Sequence, residues 1–323
     1  MIPYSAYSLL TFSAPPRWSR TACTLHDASY LVPLVLRAPR AVVRAVLSAL
    51  LAPRSPALSR DCREGLVETE VVLHSLDAYP QGAVAPVRVA WRPPDDGAKT
   101  SSEVWLWAHP AAASDVEGAL RESAARAKGV LPQRGQAARF ELRGPEAAQV
   151  LSAVLEGAGG VGADMVRRGT RTGAILSRVV QDPRAAARQR THEGGGLAAE
   201  LREKPWLAAG DWRSGRIECS AMDQWCPTAG KWDEVCGGQR VQVTSDAEVN
   251  QRNRDGLLFP RQGGPSGTDA GPCVTLVAVG GVRCRSRSTG GGGELVGWDV
   301  VVRWEWARVI WLALVRAGGR AIG

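Results

Sequence analysis

No two of the seven cysteines in this 323-residue chain stand as a CxxC pair. Cys23, Cys62, Cys219, Cys226, Cys236, Cys273 and Cys284 are scattered, which argues against a zinc ribbon or a thiol redox motif. Their odd number, with no secretory leader ahead of them, fits a reducing compartment. Long apolar runs are missing too. Leu9, Leu10 and Phe12 are cut short by Pro15 and Pro16, and the apolar segment Val309–Val315 is far too short to span a bilayer. A soluble, intracellular chain without membrane contact is expected. Nothing resembles a Ser/His/Asp arrangement, a phosphate loop or a metal cluster, so no cofactor and no metal are expected. The literal GxGxxG at 157–162 follows a helical pattern and leads into a polar, arginine-rich segment. A dinucleotide loop must instead follow a strand and open a helix, so this one reads as a helix C-cap and linker.

What is present is apolar content and arginine. A hydrophobic fraction of 45% is ample for a core, and the net charge of +8 comes mainly from arginine, which binds phosphate bidentately and stacks on flat rings. Nucleic acid is therefore the first partner to consider, although a GC-rich genome raises arginine and alanine without any such function.

The chain is organised around its last stretch, Gly297–Gly323, whose β-branched run Val300–Val302 and apolar segment Val309–Val315 are hard to read as surface. Residues 1–19 read as a tail. Tyr30–Leu36 is a candidate buried strand, and Pro39 leads into a helical apolar pattern. Three strands follow, at Leu66–Leu73, Val84–Trp91 and Glu103–Ala108. A helix over Ala111–Lys128 has Asp115 and Glu117 near its start and Arg126 and Lys128 near its end, as the helix dipole favours. Arg139–Arg143 is a further strand, turned by Gly144-Pro145 into a helix at Glu146–Leu155 with Ala148, Val150, Leu151 and Val154 inward. Ala174–Val180 reads as a strand entering the turn Gln181–Arg184. Residues 197–270 carry Trp206, Trp212, Trp225 and Trp232 in an irregular setting, with a helix expected at Asp246–Asp255. Gly271–Gly280 is a buried strand, Gly290–Gly293 a flexible loop, and Gly-Trp-Asp at 297–299 a turn. The fold class expected is α+β, with mixed sheets and packed helices. The divisions are a first α+β domain over 20–160, a basic segment over 161–196, the irregular region 197–270, and an element over 271–323 completing the core.

Taken in order, several stretches resemble the largest protein subunit of eukaryotic ribonuclease P and ribonuclease MRP, the processing-of-precursors family. They are CTLHDASY at Cys23–Tyr30, VWLWAHPAA at Val104–Ala112, RFELRGPEAAQVL at Arg139–Leu151, VVQDPR at Val179–Arg184, the strand Val274–Val279, and GWD with ARVIWLALVRAGGR at the end. The resemblance runs from about Arg20 to Gly323, with Lys204–Gly271 matching poorly. It implies a fold similar to the glycine-cleavage T-protein. It also implies a non-catalytic RNA-binding scaffold, located in the nucleus and nucleolus, whose partners are the structured catalytic RNA of the particle and its other small protein subunits. Two departures stand out. The family's basic N-terminal region is missing, which removes part of the expected RNA contact, and Trp304-Glu305-Trp306 stands where the family has Gly-Trp-Gly.

Candidate RNA contacts are arginines at strand ends and in loops. Arg37, Arg40 and Arg44 lie at a strand end and helix start, with Arg40 and Arg44 one turn apart. Between Asp164 and Arg190 the chain holds Arg167, Arg168, Arg171, Arg178, Arg184, Arg188 and Arg190 against only Asp164 and Asp182. Arg316 and Arg320 flank Gly318 and Gly319. The rival readings are an aminomethyltransferase-like enzyme acting on a folate and a protein-only interaction platform. The enzyme would need a carboxylate for acid–base work, and Asp27, Asp182 and Asp299 are available singly, each in a turn-like context where capping is the commoner role.

Overall fold

The computed structural model describes residues 22–93, 101–127, 131–155, 172–184, 243, 245–249, 251, 270–285 and 292–322. Its strands, in chain order, are β1 (Thr24–Asp27), β2 (Val32–Pro39), β3 (Thr69–His74), β4 (Ala83–Trp91), β5 (Ser101–Ala108), β6 (Gln133–Arg134) and β7 (Ala137–Arg143), followed by β8 (Ile175–Gln181), β9 (Ala270–Arg285), β10 (Gly292–Arg303) and β11 (Arg320–Ile322). The helices are α1 (Arg40–Leu50), the one-turn α2 (Arg60–Arg63), α3 (Ala113–Arg126), α4 (Ala147–Leu155) and α5 (Ala307–Arg316).

Strand alternation decides how these elements stack. In β7, Ala138, Phe140 and Leu142 belong to one apolar cluster with Val150 and Leu151 of α4 and Ile310 and Leu314 of α5. Ala137, Arg139, Glu141 and Arg143 point the opposite way, as a period of two requires. In β2 and β5 the same rule puts Leu34, Leu36, Val104 and Leu106 against Val46 and Leu47 of α1 and Val116 and Leu120 of α3. A third cluster, with Val35, Trp105 and Trp107 from one sheet and Ala137, Val277 and Val301 from the other, lies where the two sheets face each other. The result is four layers: helices, sheet, sheet, helices. This is the expected α+β class.

One sheet has the order β11-β1-β7-β10-β9-β8 and is mixed, because β1 pairs with β11 in parallel and with β7 antiparallel. The other, β3-β4-β5-β2-β6, is antiparallel throughout. The C-terminal strands therefore complete a sheet begun by β1 and β7, and Trp298, Val300, Val302, Ile310 and Leu314 are all buried there.

Three local expectations are corrected. Tyr30 lies outside β2, in a turn that begins with Asp27 accepting a hydrogen bond from the Ser29 backbone N–H at 2.9 Å. Gly292 and Gly293 pair with Arg285 and Cys284 at the start of β10 instead of forming a loop. Gly-Trp-Asp is likewise strand, with Gly297 opposite Arg143 and Asp299 opposite Glu141. A Cβ at Gly297 would lie 2.6 Å from Arg143 Cδ and 2.7 Å from the Leu142 carbonyl, so the glycine serves close approach of strands rather than a turn. The GAGGVG segment at 157–162 and most of 185–269 fall outside the described residues. Of the helix expected at Asp246–Asp255, residues 246–249 and 251 are helical.

Candidate functional site

The most concentrated chemistry in the described residues is a seam of charge in the sheet-to-sheet interface. Its centre is Asp299 of β10, fully buried, and beside it Arg139 of β7, also at 0% side-chain exposure. Arg139 Nε donates to Asp299 Oδ2 at 3.0 Å, and its Nη2 reaches the same oxygen. Its other side grips Glu68, just ahead of β3, through Nη1 at 2.9 Å and Nη2 at 2.6 Å. The guanidinium also lies 5.4 Å from the ring centre of Trp107, which covers it with a π face.

Arg88 of β4 crosses from the other sheet, with Nη1 2.8 Å from Asp299 Oδ2 and 3.0 Å from Glu141 Oε1. Arg143 Nη2 lies 2.5 Å from Asp299 Oδ1, an ion pair whose angle falls short of a hydrogen bond, and 3.5 Å from Glu141. Three guanidiniums thus face three buried carboxylates, Glu68, Glu141 and Asp299, with the half-exposed Glu70 at 3.9 Å from Arg88 on the rim. Burial alone would push the Asp299 carboxyl upward. The guanidiniums of Arg143, Arg139 and Arg88 outweigh it and hold that carboxyl well below the usual carboxylate range. Burial likewise opposes the charge on Arg139, and the carboxylates of Glu68 and Asp299 more than restore it.

Strand order explains the alignment. His26, Glu141 and Asp299 occupy one register row across β1, β7 and β10, so two carboxylates of the seam stand in line with His26 near the surface. There the Tyr30 ring stands 5.7 Å from His26 and 5.9 Å from His109. Burial of part of the ring and the nearby Glu141 push the Tyr30 phenol upward.

The arginines expected to meet RNA are placed as follows. Arg37 of β2 pairs with Glu103 at 2.7 Å, Arg40 at the start of α1 pairs with Glu64 at 3.2 Å, and Arg44 is exposed one turn further on. Arg184 lies against Asp182 at 2.6 Å and Asp246 at 2.8 Å, with its guanidinium 5.6 Å from the ring centre of Trp306. Arg316 is exposed at the end of α5. Its charge and that of Arg308, after the hydrogen bond from Arg184, hold the Asp246 carboxyl below its usual range, so Arg184 and Arg316 share one neighbourhood. Arg320 is exposed on β11. Arg37, Arg40 and Arg44 belong to the other sheet and its helix layer and do not join that group. Arg167, Arg168, Arg171, Arg188 and Arg190 fall outside the described residues.

Of the three carboxylates weighed for acid–base work, Asp27 and Asp182 do cap, accepting from the backbone N–H groups of Ser29 and Arg184. Asp299 does not, because its strand setting buries it among guanidiniums. Among the described residues no group of three or more His, Cys, Asp or Glu side chains is arranged to hold a metal ion, and no helix is long and apolar enough to cross a membrane.

No protein-family model and no curated protein matches the chain. Among solved structures, the chain is similar to the glycine cleavage system aminomethyltransferase T from Bartonella henselae at 15% identity and a TM-score of 0.43, over 94% of this chain and 49% of that one. It also matches the aspartate kinase from Synechocystis at 9% identity and a TM-score of 0.21, over 94% of this chain and 58% of that one. The chain spans about half the length of the transferase it matches.

Proposed function

We propose that this chain is an RNA-binding scaffold subunit of a ribonuclease P/MRP-type ribonucleoprotein, acting in tRNA 5′-end maturation and rRNA precursor processing and performing no chemistry itself. The observation that carries the reading is the division of labour among its charges. Carboxylates that an enzyme would need for proton transfer are engaged, with Asp299 held ionised by three guanidiniums. Exposed arginines stand on rigid elements: Arg44 on α1, Arg308 and Arg316 on α5, Arg320 on β11. Fixed guanidiniums on a body of net charge +8 suit the phosphates and 2′-OH groups of a folded RNA. The stretches that resemble the processing-of-precursors family supply the choice of particle.

A specific feature also favours protein contacts as part of that scaffold role. Trp304 at 58% exposure, with Leu312 and Val315, lines the outer side of α5 beside Arg308 and Arg316, a surface suited to the small subunits of such a particle.

The test is binding of the full chain to a transcribed ribonuclease P RNA over a salt series. Tight binding is expected, with log K falling linearly against log salt. Arg44→Gln and Arg316→Gln should each flatten the slope by about one unit if each contacts a phosphate. A chain that ignores this RNA at about 100 mM salt would overturn the reading, since phosphate contacts of this kind act strongly there.

A further inference from the structure

We infer that Tyr30, framed by His26 and His109, is a stacking site for an unpaired nucleobase. The inference rests on the RNA-binding reading above and names a contact within it. Three rings from three elements converge here: His26 from β1, Tyr30 from the turn after it, and His109 from the end of β5. The interplanar angles to the phenol are 66° for His26 and 70° for His109, so neither imidazole lies flat on it. Tyr30 nonetheless keeps 44% of its surface exposed, an unusual position for a large ring with two aromatic neighbours.

The platform is held rigidly. Ala28 N–H donates to the Arg139 carbonyl at 2.9 Å, Arg139 N–H donates to Ser29 Oγ at 3.1 Å, and Leu31 N–H closes the turn on the Ala28 carbonyl at 3.0 Å. The backbone that anchors the turn thus belongs to the residue whose guanidinium sits at the centre of the buried seam. His109 is fixed too. Its Nδ1 accepts from the Ala111 N–H at 3.2 Å, which in the neutral ring leaves the proton on Nε2 as a donor. A site of this kind loses little conformational freedom when a flat ring settles on it.

The charge nearest the ring is of both signs, Glu141 and Asp27 with Arg88. In the parallel pairing of β11 with β1, Arg320 stands opposite Thr24 and Ile322 opposite His26, so Arg320 and His26 share a sheet face two residues apart on neighbouring strands. The His26 imidazole is itself tied to the phenol, its Nε2 lying 3.3 Å from the Tyr30 hydroxyl, so what the site offers a ligand is the exposed ring. Stacking of this type is indifferent to base identity, because every base has a π face.

The probe is a fluorescein-labelled single-stranded oligouridine, titrated with the full chain by anisotropy over a salt series. Tyr30→Ala should weaken binding about 5- to 150-fold at every salt concentration and leave the slope of log K against log salt unchanged, the signature of lost stacking rather than a lost phosphate contact. Tyr30→Phe keeps the ring and should bind like the natural chain, which also controls for folding. Ultraviolet cross-linking of the unaltered chain to the same oligonucleotide should place the adduct in the peptide containing Tyr30. If the natural chain binds and Tyr30→Ala binds equally well, or the adduct maps elsewhere, the inference falls and the RNA reading stands. If the natural chain binds neither the oligonucleotide nor the structured RNA, both fall together.

Discussion

Asp299→Asn is the sharpest perturbation of this molecule, because the side chain keeps its shape while its charge is lost and one accepting oxygen becomes an NH2 donor. In the natural chain three guanidiniums converge on a carboxylate with no exposure to solvent. With asparagine there, Arg88, Arg139 and Arg143 face one another with Glu68 and Glu141 as the remaining buried anions. Removing one member of a buried, hydrogen-bonded pair costs about 3–5 kcal/mol, since the partner charge stays desolvated without compensation. That loss should appear as a lowered urea midpoint at pH 7. Acid gives a second reading. The folded carboxyl lies below its unfolded value of about 3.9, so its contribution is fully present above that pH and is lost as pH falls through the folded value. The difference between the natural chain and Asp299→Asn should therefore be constant from pH 7 down to about pH 5 and shrink below about pH 4. Glu70→Gln serves as the rim control. Its carboxylate is half exposed and 3.9 Å from Arg88, so at most about 1 kcal/mol is expected. If Asp299→Asn costs no more than that control, or its deficit persists unchanged into acid, the seam is not the electrostatic centre described above.

Two glycines should respond in opposite directions to alanine. Gly173 has φ +81°, and a Cβ there would meet the Glu68 carbonyl at 2.4 Å, so Gly173→Ala should cost more than about 2 kcal/mol by strain and by shifting Glu68 off Arg139. Gly118 sits exposed within α3 with nothing within 4 Å of the added methyl, so Gly118→Ala should raise stability by about 0.5–1 kcal/mol in the same urea titration. Cys23 and Cys62 are buried, and burial pushes both thiols up to about 12. Peptide-resolved alkylation at pH 8 should leave both unlabelled until urea is added, and rapid labelling of either in the native chain would contradict their placement.

Helices and most strands were legible because their burial is one-sided and local. The pattern after Pro39 put Val43, Val46, Leu47 and Leu50 on one face of α1, and Val150, Leu151 and Val154 on one face of α4, where the structure buries them. The seam was only half legible. A period of two in RFELR separates Arg139, Glu141 and Arg143 from Phe140 and Leu142, but a charged strand face reads as solvent-facing unless one knows that a second sheet covers it. What covers it is Arg88 and Trp107 of the second sheet, about 50 and 30 residues earlier in the chain, and its carboxylate partner Asp299, on the neighbouring strand of the same sheet, comes 160 residues later. The sequence suggests a turn at Gly-Trp-Asp, whereas Gly297 answers to the crowding of Arg143 across the strand pair. Likewise Arg184 and Arg316 are distant in sequence and converge on Asp246.

The seam's value lies in register more than in net stability. Well-packed apolar residues can often replace buried ion pairs at no loss, so the apolar half of the interface, with Trp105, Val277 and Val301, would suffice to hold two sheets together. It would not fix how they slide. Slipping β7 by one residue would turn Phe140 and Leu142 into the interface and push Arg139, unpaired, into the apolar layer against α4 and α5. Each charged residue thus forbids a slip that an all-apolar interface would tolerate. The turn bearing Tyr30 hangs from the backbone of Arg139, so the constraint that sets the strand also sets the height and angle of the exposed ring. A rigid presenter of surface groups needs that kind of fixed register, and a fold held by apolar area alone would not supply it.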